Sequence, residues 1–316
     1  MNNPQQRRQA FPQFVKGAAT VFALCALAAL EWACGGSGSS VQTPVQSPVA
    51  TNQPTFSHIV LLVEENHSYS DVVGSSSMPY LNSLISQYGL ATQYYSDAHP
   101  SIPNYLMLTT GLMETYDDEF SGTISDDNVV RELVKAGKSW KAYLESLPSP
   151  GYLGGDTGAY LRQHNPFADL SDIQQSSAQA ANIVPFPQFA SDLANNALPQ
   201  YSFIAPNAND DAHNGTLAQA DSWLQSNIAP LLASSAFQSS GLLIVTFDES
   251  EDSDVAHGGG HLATVIISPQ AKKGYQSQTL YQHESTLRLV LASSGVNTFP
   301  GMSATAPDMT EFFTGN

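Results

Sequence analysis

Apolar residues along this chain gather in short unbroken runs separated by stretches of helical pattern. Ile59–Val63, Gly241–Phe247 (GLLIVTF) and Leu262–Ser268 (LATVIIS) are continuous enough to predict strands covered on both faces. Weaker runs predict two further strands at Trp140–Leu144 and Gln200–Ile204. Between them the spacing predicts helices over Pro79–Tyr88, closed by Gly89, and over Asn128–Ala136, closed by Gly137. Phe186–Asn196, Thr216–Ser234 and Tyr281–Ser293 read as further helices, and Gly151–Asp172 mostly as loop. This alternation predicts an α/β fold with a mainly parallel central sheet and helices on both faces. Such sheets bind ligands beyond the carboxyl ends of their strands.

The ends of the pattern differ from its middle. Residues 1–34 read as an export signal: Arg7, Arg8 and Lys16 precede the apolar run Gly17–Leu30, which is short for a membrane span. Ala33-Cys34-Gly35 resembles a lipoprotein cleavage site, which would tether the protein to a membrane through a lipidated Cys34. Glu31 and Trp32 depart from that pattern, and plain cleavage is the simpler alternative. Arg7-Arg8 also hints at twin-arginine export without its usual context. Residues 35–55, rich in Gly, Ser, Thr, Pro and Gln, read as a flexible linker. Residues 56–316 are expected to form a single domain. The expected location is therefore outside the cytoplasm: periplasmic, anchored to the cell envelope, or secreted.

Composition narrows the chemistry. Formal net charge over 316 residues is −17, and only 12% of them are charged. The first 34 residues contribute a net +2, which leaves 8 basic and 27 acidic residues, or −19, in the rest. Such a surface repels nucleic acid and anionic membrane, and would repel a phosphate ester unless the site itself held a cation. Cys25 and Cys34 both lie in the N-terminal segment, so the body has no disulfide, no thiol nucleophile and no cysteine-bound zinc.

Candidate chemistry lies just past the buried strands. Glu64-Glu65-Asn66-His67 follows the first, and Asp248-Glu249-Ser250-Glu251-Asp252 follows GLLIVTF. Carboxylates converging at one sheet edge raise each other's pKa or demand a cation. They are otherwise ordinary solvated loop ends. Ala98–Gly111 (AHPSIPNYLMLTTG) predicts a short buried helix with Pro103 in its first turn and Ser101 at or beside its N-cap. There Ser101 is either a plain cap or a hydroxyl held where amide groups favour negative charge. Five histidines, His99, His164, His213, His257 and His261, sit in polar, turn-like surroundings. Each alone is more simply a surface or structural residue. Gly258–Gly260 between His257 and His261 would let backbone approach a ligand closely. His58 and His283 read as structural.

Six stretches in order carry a resemblance. HIVLLVEENHSYSDVVG (His58–Gly74), HPSIPNYLMLTTG, YLRQHNPFADL (Tyr160–Leu170), APNANDDAHNG (Ala205–Gly215), VTFDES with HGGGHLATVIISPQAKKG, and YQHESTLRLV (Tyr281–Val290) resemble the phosphoesterase family that groups acid phosphatases with bacterial phospholipases C. The resemblance implies an alkaline-phosphatase-like fold. It also implies a divalent metal held by Glu65, Asn66, Asp248 and Glu249, with Ser101 bound to it as nucleophile. His164 and His213 would contact phosphate or protonate the leaving group, with His261 carried over less securely because spacing after Asp248 varies.

Oxygen-rich ligands suit Mg, Ca or Mn, and Zn if imidazole joins. The expected enzyme is an acid phosphatase hydrolysing small phosphomonoesters through a phosphoserine, with an acidic optimum set by imidazolium near a pKa of about 6.5. The chain is short beside phospholipase C members. Alternatives are a phospholipase C-type phosphodiesterase, or a non-catalytic exported protein that binds metal or phosphate. A serine hydrolase is disfavoured, since no Gly-x-Ser-x-Gly surrounds Ser101.

Overall fold

A computed structural model describes residues 53–314. The expected export signal, residues 1–34, lies outside the described residues, as does nearly all of the expected linker. The linker's last residues are already part of the fold, however. Gln53 is buried and donates through Nε2 to Ser293 Oγ at 3.1 Å.

Eight strands form one sheet: β1 (His58–Glu64), β2 (Gly89–Tyr95), β3 (Trp140–Leu144), β4 (Ile183–Pro185), β5 (Tyr201–Ala205), β6 (Gly241–Phe247), β7 (His261–Ile267) and β8 (Gln276–Ser277). Their order across the sheet is β4-β3-β5-β1-β6-β7-β2-β8. All neighbouring pairs are parallel except the two that involve β7. The central pair, β1 and β6, is buried almost throughout, as continuous Val, Ile, Leu and Phe require. Helices pack in two groups. Pro79–Gln87 lies against Leu217–Ala233, while Ser101–Thr110 lies against His283–Ser293 and Val129–Lys135.

Three strands depart from expectation. β2 and β8 carry no continuous apolar run, and that of β4, Ile183-Val184-Pro185, is too short to stand out. In β2 the register shifts between Ala91 and Tyr94, so Thr92 and Gln93 interrupt the pattern. Gly89 does not close the preceding helix. It opens β2, where a Cβ would stand 2.5 Å from the Phe312 ring. Because β2 runs parallel to β1 and β6, its carboxyl end reaches the same sheet edge as Glu65 and Asp248. The chain turns there and enters the Ser101–Thr110 helix.

Candidate active site

Ser101 opens its helix as the first helical residue, one position inside the cap residue Pro100, and makes no capping hydrogen bond. The cap reading therefore fails. Asp118 Oδ1 instead accepts from the Ile102 amide at 3.2 Å. The turn before the helix is held from within it. Asn104 Oδ1 accepts from the amides of Asp97 (3.0 Å) and Ala98 (3.1 Å), and its Nδ2 donates to the Ala98 carbonyl at 2.8 Å.

The glycine run serves the same turn. The Gly259 amide donates to the Ser96 carbonyl at 3.2 Å, and a Cβ at Gly259 would lie 2.1 Å from the Ala98 carbonyl. A Cβ at Gly258 would likewise meet the Asp97 carbonyl, so these two glycines let backbone that leads into Ser101 approach closely, while Gly260 makes room for Ser250 Oγ.

Released from capping, the buried Ser101 hydroxyl donates to Glu249 Oε1 at 2.9 Å. It also stabilises the Asp248 carboxylate. Asp248, in turn, accepts from the Asn66 amide through Oδ1 at 3.2 Å. The side-chain amide of Asn66 stands 3.0 Å from Glu65 Oε2 and 3.1 Å from Asp248 Oδ1. Asp248 Oδ2 is buried with no partner. Ser101, Glu249, Asp248, Asn66 and Glu65 thus form one contiguous group. Glu249 joins it through the serine.

Burial dominates the electrostatics. It pushes the Glu65 carboxyl well above the usual range, reinforced by Asp248 and Asp211. Burial and then Glu249 push Asp248 up to about 7. Burial pushes Glu249 up to about 8, against the Ser101 hydrogen bond that opposes it. Carboxylates gathered this way retain protons or take a cation.

The histidines separate. Buried His164 presents Nε2 to Glu65 Oε1 at 3.3 Å and Nδ1 to Asp211 Oδ2 at 3.1 Å. Its ring stacks on Tyr105 with centroids 5.7 Å apart, and the Tyr105 hydroxyl donates to Glu65. Both its nitrogens face carboxylates. Glu65, His164 and Asp211 also bring one donor atom each within 4.8 Å of one another. His213 is exposed, with its ring centroid 5.9 Å from that of His164.

His261 reaches the same sheet edge but is not joined to the carboxylates. Its Nε2 meets the Thr92 carbonyl at 3.0 Å, and its ring stacks on Tyr69 and Tyr95. His283 is structural as expected, holding the Asp248 carbonyl at 2.6 Å through Nε2, and burial lowers its pKa to about 4. Tyr105 and Asp211 were not anticipated as site residues. Nor was His99 assigned a partner, although its Nδ1 lies 2.6 Å from Glu249 Oε2.

Residues 74–297 match the model of the Phosphoesterase family. The chain belongs to this family. As a phosphoesterase it is a hydrolase of phosphoric esters. The match covers Ser101, His164, His213, Asp248 and Glu249 and begins after Glu65 and Asn66.

Among its relatives is a phosphatidylinositol-3-phosphatase of Mycobacterium tuberculosis, 32% identical over 84% of this chain and 85% of that protein. A probable acid phosphatase of Kluyveromyces lactis and an acid phosphatase of Aspergillus fumigatus are each 32% identical, over 75% and 73% of this chain. The chain spans only 58% and 53% of those two fungal proteins. A protein of the alkaline phosphatase superfamily from Vibrio parahaemolyticus shares the fold, with TM-score 0.55 at 15% identity over 77% of this chain and 67% of that one.

Proposed function

We propose that this phosphoesterase is an exported, metal-dependent acid phosphatase that cleaves small phosphomonoesters through a phosphoserine at Ser101. The observation that carries the reading is the contact of the buried Ser101 hydroxyl with Glu249 beside the Glu65–Asn66–Asp248 group. A serine meant only to cap a helix would face the backbone.

The same group fits a divalent cation. The side-chain amide of Asn66 is wedged between two carboxylate oxygens, and Asp248 Oδ2 is buried without a partner. Glu65, Asn66, Asp248 and Glu249, with Ser101, are the residues that would hold the ion. Bound there, it would lower the serine pKa and offset the charge of the phosphoryl group. The all-oxygen set suits Mg, Ca or Mn.

In the proposed reaction Ser101 Oγ attacks phosphorus in line with the ester oxygen, and the P–O bond to the alcohol breaks. Glu249, which the bound cation would keep ionised, accepts the hydroxyl proton along the hydrogen bond already present. His213, the solvent-facing histidine, supplies a proton to the departing alkoxide. Water then attacks the phosphoserine, frees phosphate and restores the hydroxyl. His164 lies between Glu65 and Asp211, with one ring nitrogen toward each carboxylate.

Size favours small monoesters over phospholipids. A cavity of about 190 Å³ opens at Ile102, the residue after Ser101, and is lined also by Asp118, Phe120, Arg162 and Gln163. That is small for diacylglycerol, since pockets for drug-sized ligands run about 300–1,000 Å³. Relatives named phospholipase C B are 26% identical and matched over only 42% of their length. Export rests on the signal-like residues 1–34 alone; secretion of the chain with its N-terminus trimmed would support it.

The decisive experiment is acid quench of the manganese-loaded enzyme during turnover of a ³²P-labelled phosphomonoester. Label should appear on the Ser101 peptide in wild type and vanish in Ser101→Ala together with turnover. A Ser101→Ala protein that keeps near-wild-type activity would overturn the reading.

A further inference from the structure

Outside the Ser101 group, one other set of donors converges from separate elements among the described residues. His67 lies just past β1, Asp71 sits in the one-turn helix Tyr69–Val72, and Glu251 lies in the loop after β6. One ligand atom from each falls within 4.8 Å of the other two. None of the three belongs to the Glu65–Asp248 group, and all face a separate, open cavity of about 480 Å³. The His67 ring is set edge-on against Phe247, with centroids 6.4 Å apart, and its Nδ1 is buried with no partner. Among the described residues no Lys or Arg pairs with Asp71 or Glu251.

We infer that His67, Asp71 and Glu251 form a second cation site, taking a first-row divalent ion such as Mn²⁺ or Zn²⁺. Imidazole with two carboxylates is a donor set that such ions favour over Mg²⁺ or Ca²⁺. Ligands about 2.1 Å from a tetrahedral ion stand about 3.4 Å from each other, so a small inward movement of the side chains closes the set. Water fills the remaining positions. The ion ties the loop leaving β1 to the loop leaving β6. Those loops begin with Glu65–Asn66 and Asp248–Glu249, so the second ion would brace the catalytic group from outside without touching substrate. The edge-on contact with Phe247 orients the His67 ring, and the two more exposed carboxylates adjust around it.

The site does not depend on the phosphatase reading and is tested by counting ions. Bound Mn²⁺ per chain is measured by equilibrium dialysis and elemental analysis on three full-length proteins. These are wild type, an outer variant (Asp71→Asn with Glu251→Gln) and an inner variant (Glu65→Gln with Asp248→Asn). The outer variant should lose one equivalent relative to wild type. The inner variant should keep one ion whose pulsed electron-spin spectrum shows nitrogen coupling, removed by adding His67→Gln. An outer variant that binds as much Mn²⁺ as wild type, or a residual ion without His67-dependent coupling, overturns the inference. One ion in wild type and none in the outer variant would support this site and count against the inner one. Should the inner variant fail to fold by circular dichroism, the comparison of wild type with the outer variant still decides.

Discussion

His99 holds Glu249 in place: its Nδ1 lies 2.6 Å from Oε2 while Oε1 receives the Ser101 hydroxyl. The other ring nitrogen, Nε2, meets the Asp254 carbonyl at 2.9 Å. A carbonyl only accepts, so Nε2 carries hydrogen, and a further proton must lie between Nδ1 and the carboxylate. Removing the ring frees Glu249 to rotate away from Ser101. His99→Ala should lower kcat about 10–100-fold, the usual cost of losing a residue that orients a ligand, with little change in KM. Steady-state kinetics on p-nitrophenyl phosphate checks this; unchanged kcat would mean Glu249 is held by other contacts.

Gly259 bears on the same serine from the other side. Its backbone is accessible to any residue, so space alone decides. A methyl there would stand 2.1 Å from the Ala98 carbonyl and 2.4 Å from Ser96 Oγ. Gly259→Ala must push aside the turn that Asn104 clamps and shift the start of the Ser101 helix. Overpacking of this kind costs about 1–3 kcal/mol. Loss of activity should exceed loss of stability, because a displaced Ser101, as the proposed nucleophile, would miss in-line geometry even in a folded protein. Urea melts and kcat on one preparation separate the two effects.

These two contacts show where local pattern stops being informative. β1, β6 and β7 were legible because strands covered on both faces need unbroken apolar runs, whether their neighbours are parallel, as for β1, or antiparallel, as for β7. Pro103 marked a helix start and so drew attention to Ser101. The carboxylate pairs were legible as residues following strands. Their partners were not. His99 and Glu249 are 150 residues apart, and Tyr105 meets Glu65 across 40. Nothing in the neighbourhood of either residue encodes the other. His164 stood out as a histidine in a polar turn, but its bracketing by Glu65 and Asp211 depends on two strands lying adjacent. β2 escaped notice because Thr92 and Gln93 break its pattern at the bulge.

If the carboxylates hold the proposed cation, protonation competes with it. Asp248 is raised to about 7 and Glu249 to about 8, whereas both titrate near 4 when unfolded. Between about pH 4 and pH 8 the folded protein therefore binds more protons than the unfolded chain. Stability of the chelated protein should fall as pH rises through that window and level off above it. Divalent cations displace those protons, so the Tm gain on adding Mn²⁺ should grow from pH 5 to pH 8. Thermal melts with and without EDTA test both slopes. A chelated protein that becomes more stable from pH 5 to pH 8 would contradict the burial of these carboxylates.

The roles proposed for His213 and His164 lead to a leaving-group test. His213 is exposed, whereas both nitrogens of His164 face carboxylates. A proton donor matters only when the departing oxygen is basic. An alkoxide needs its proton early, while p-nitrophenolate leaves without one. General acid catalysis contributes about 10²–10⁴-fold. His213→Ala should lower kcat/KM for an alkyl phosphate such as glycerol phosphate by about that factor and for p-nitrophenyl phosphate by about tenfold or less. His164→Asn removes the bridge between Glu65 and Asp211, so it should depress both substrates alike and weaken Mn²⁺ binding. Equal losses on both esters in His213→Ala would make that residue a phosphate-binding group and leave the proton donor to be sought elsewhere around Ser101.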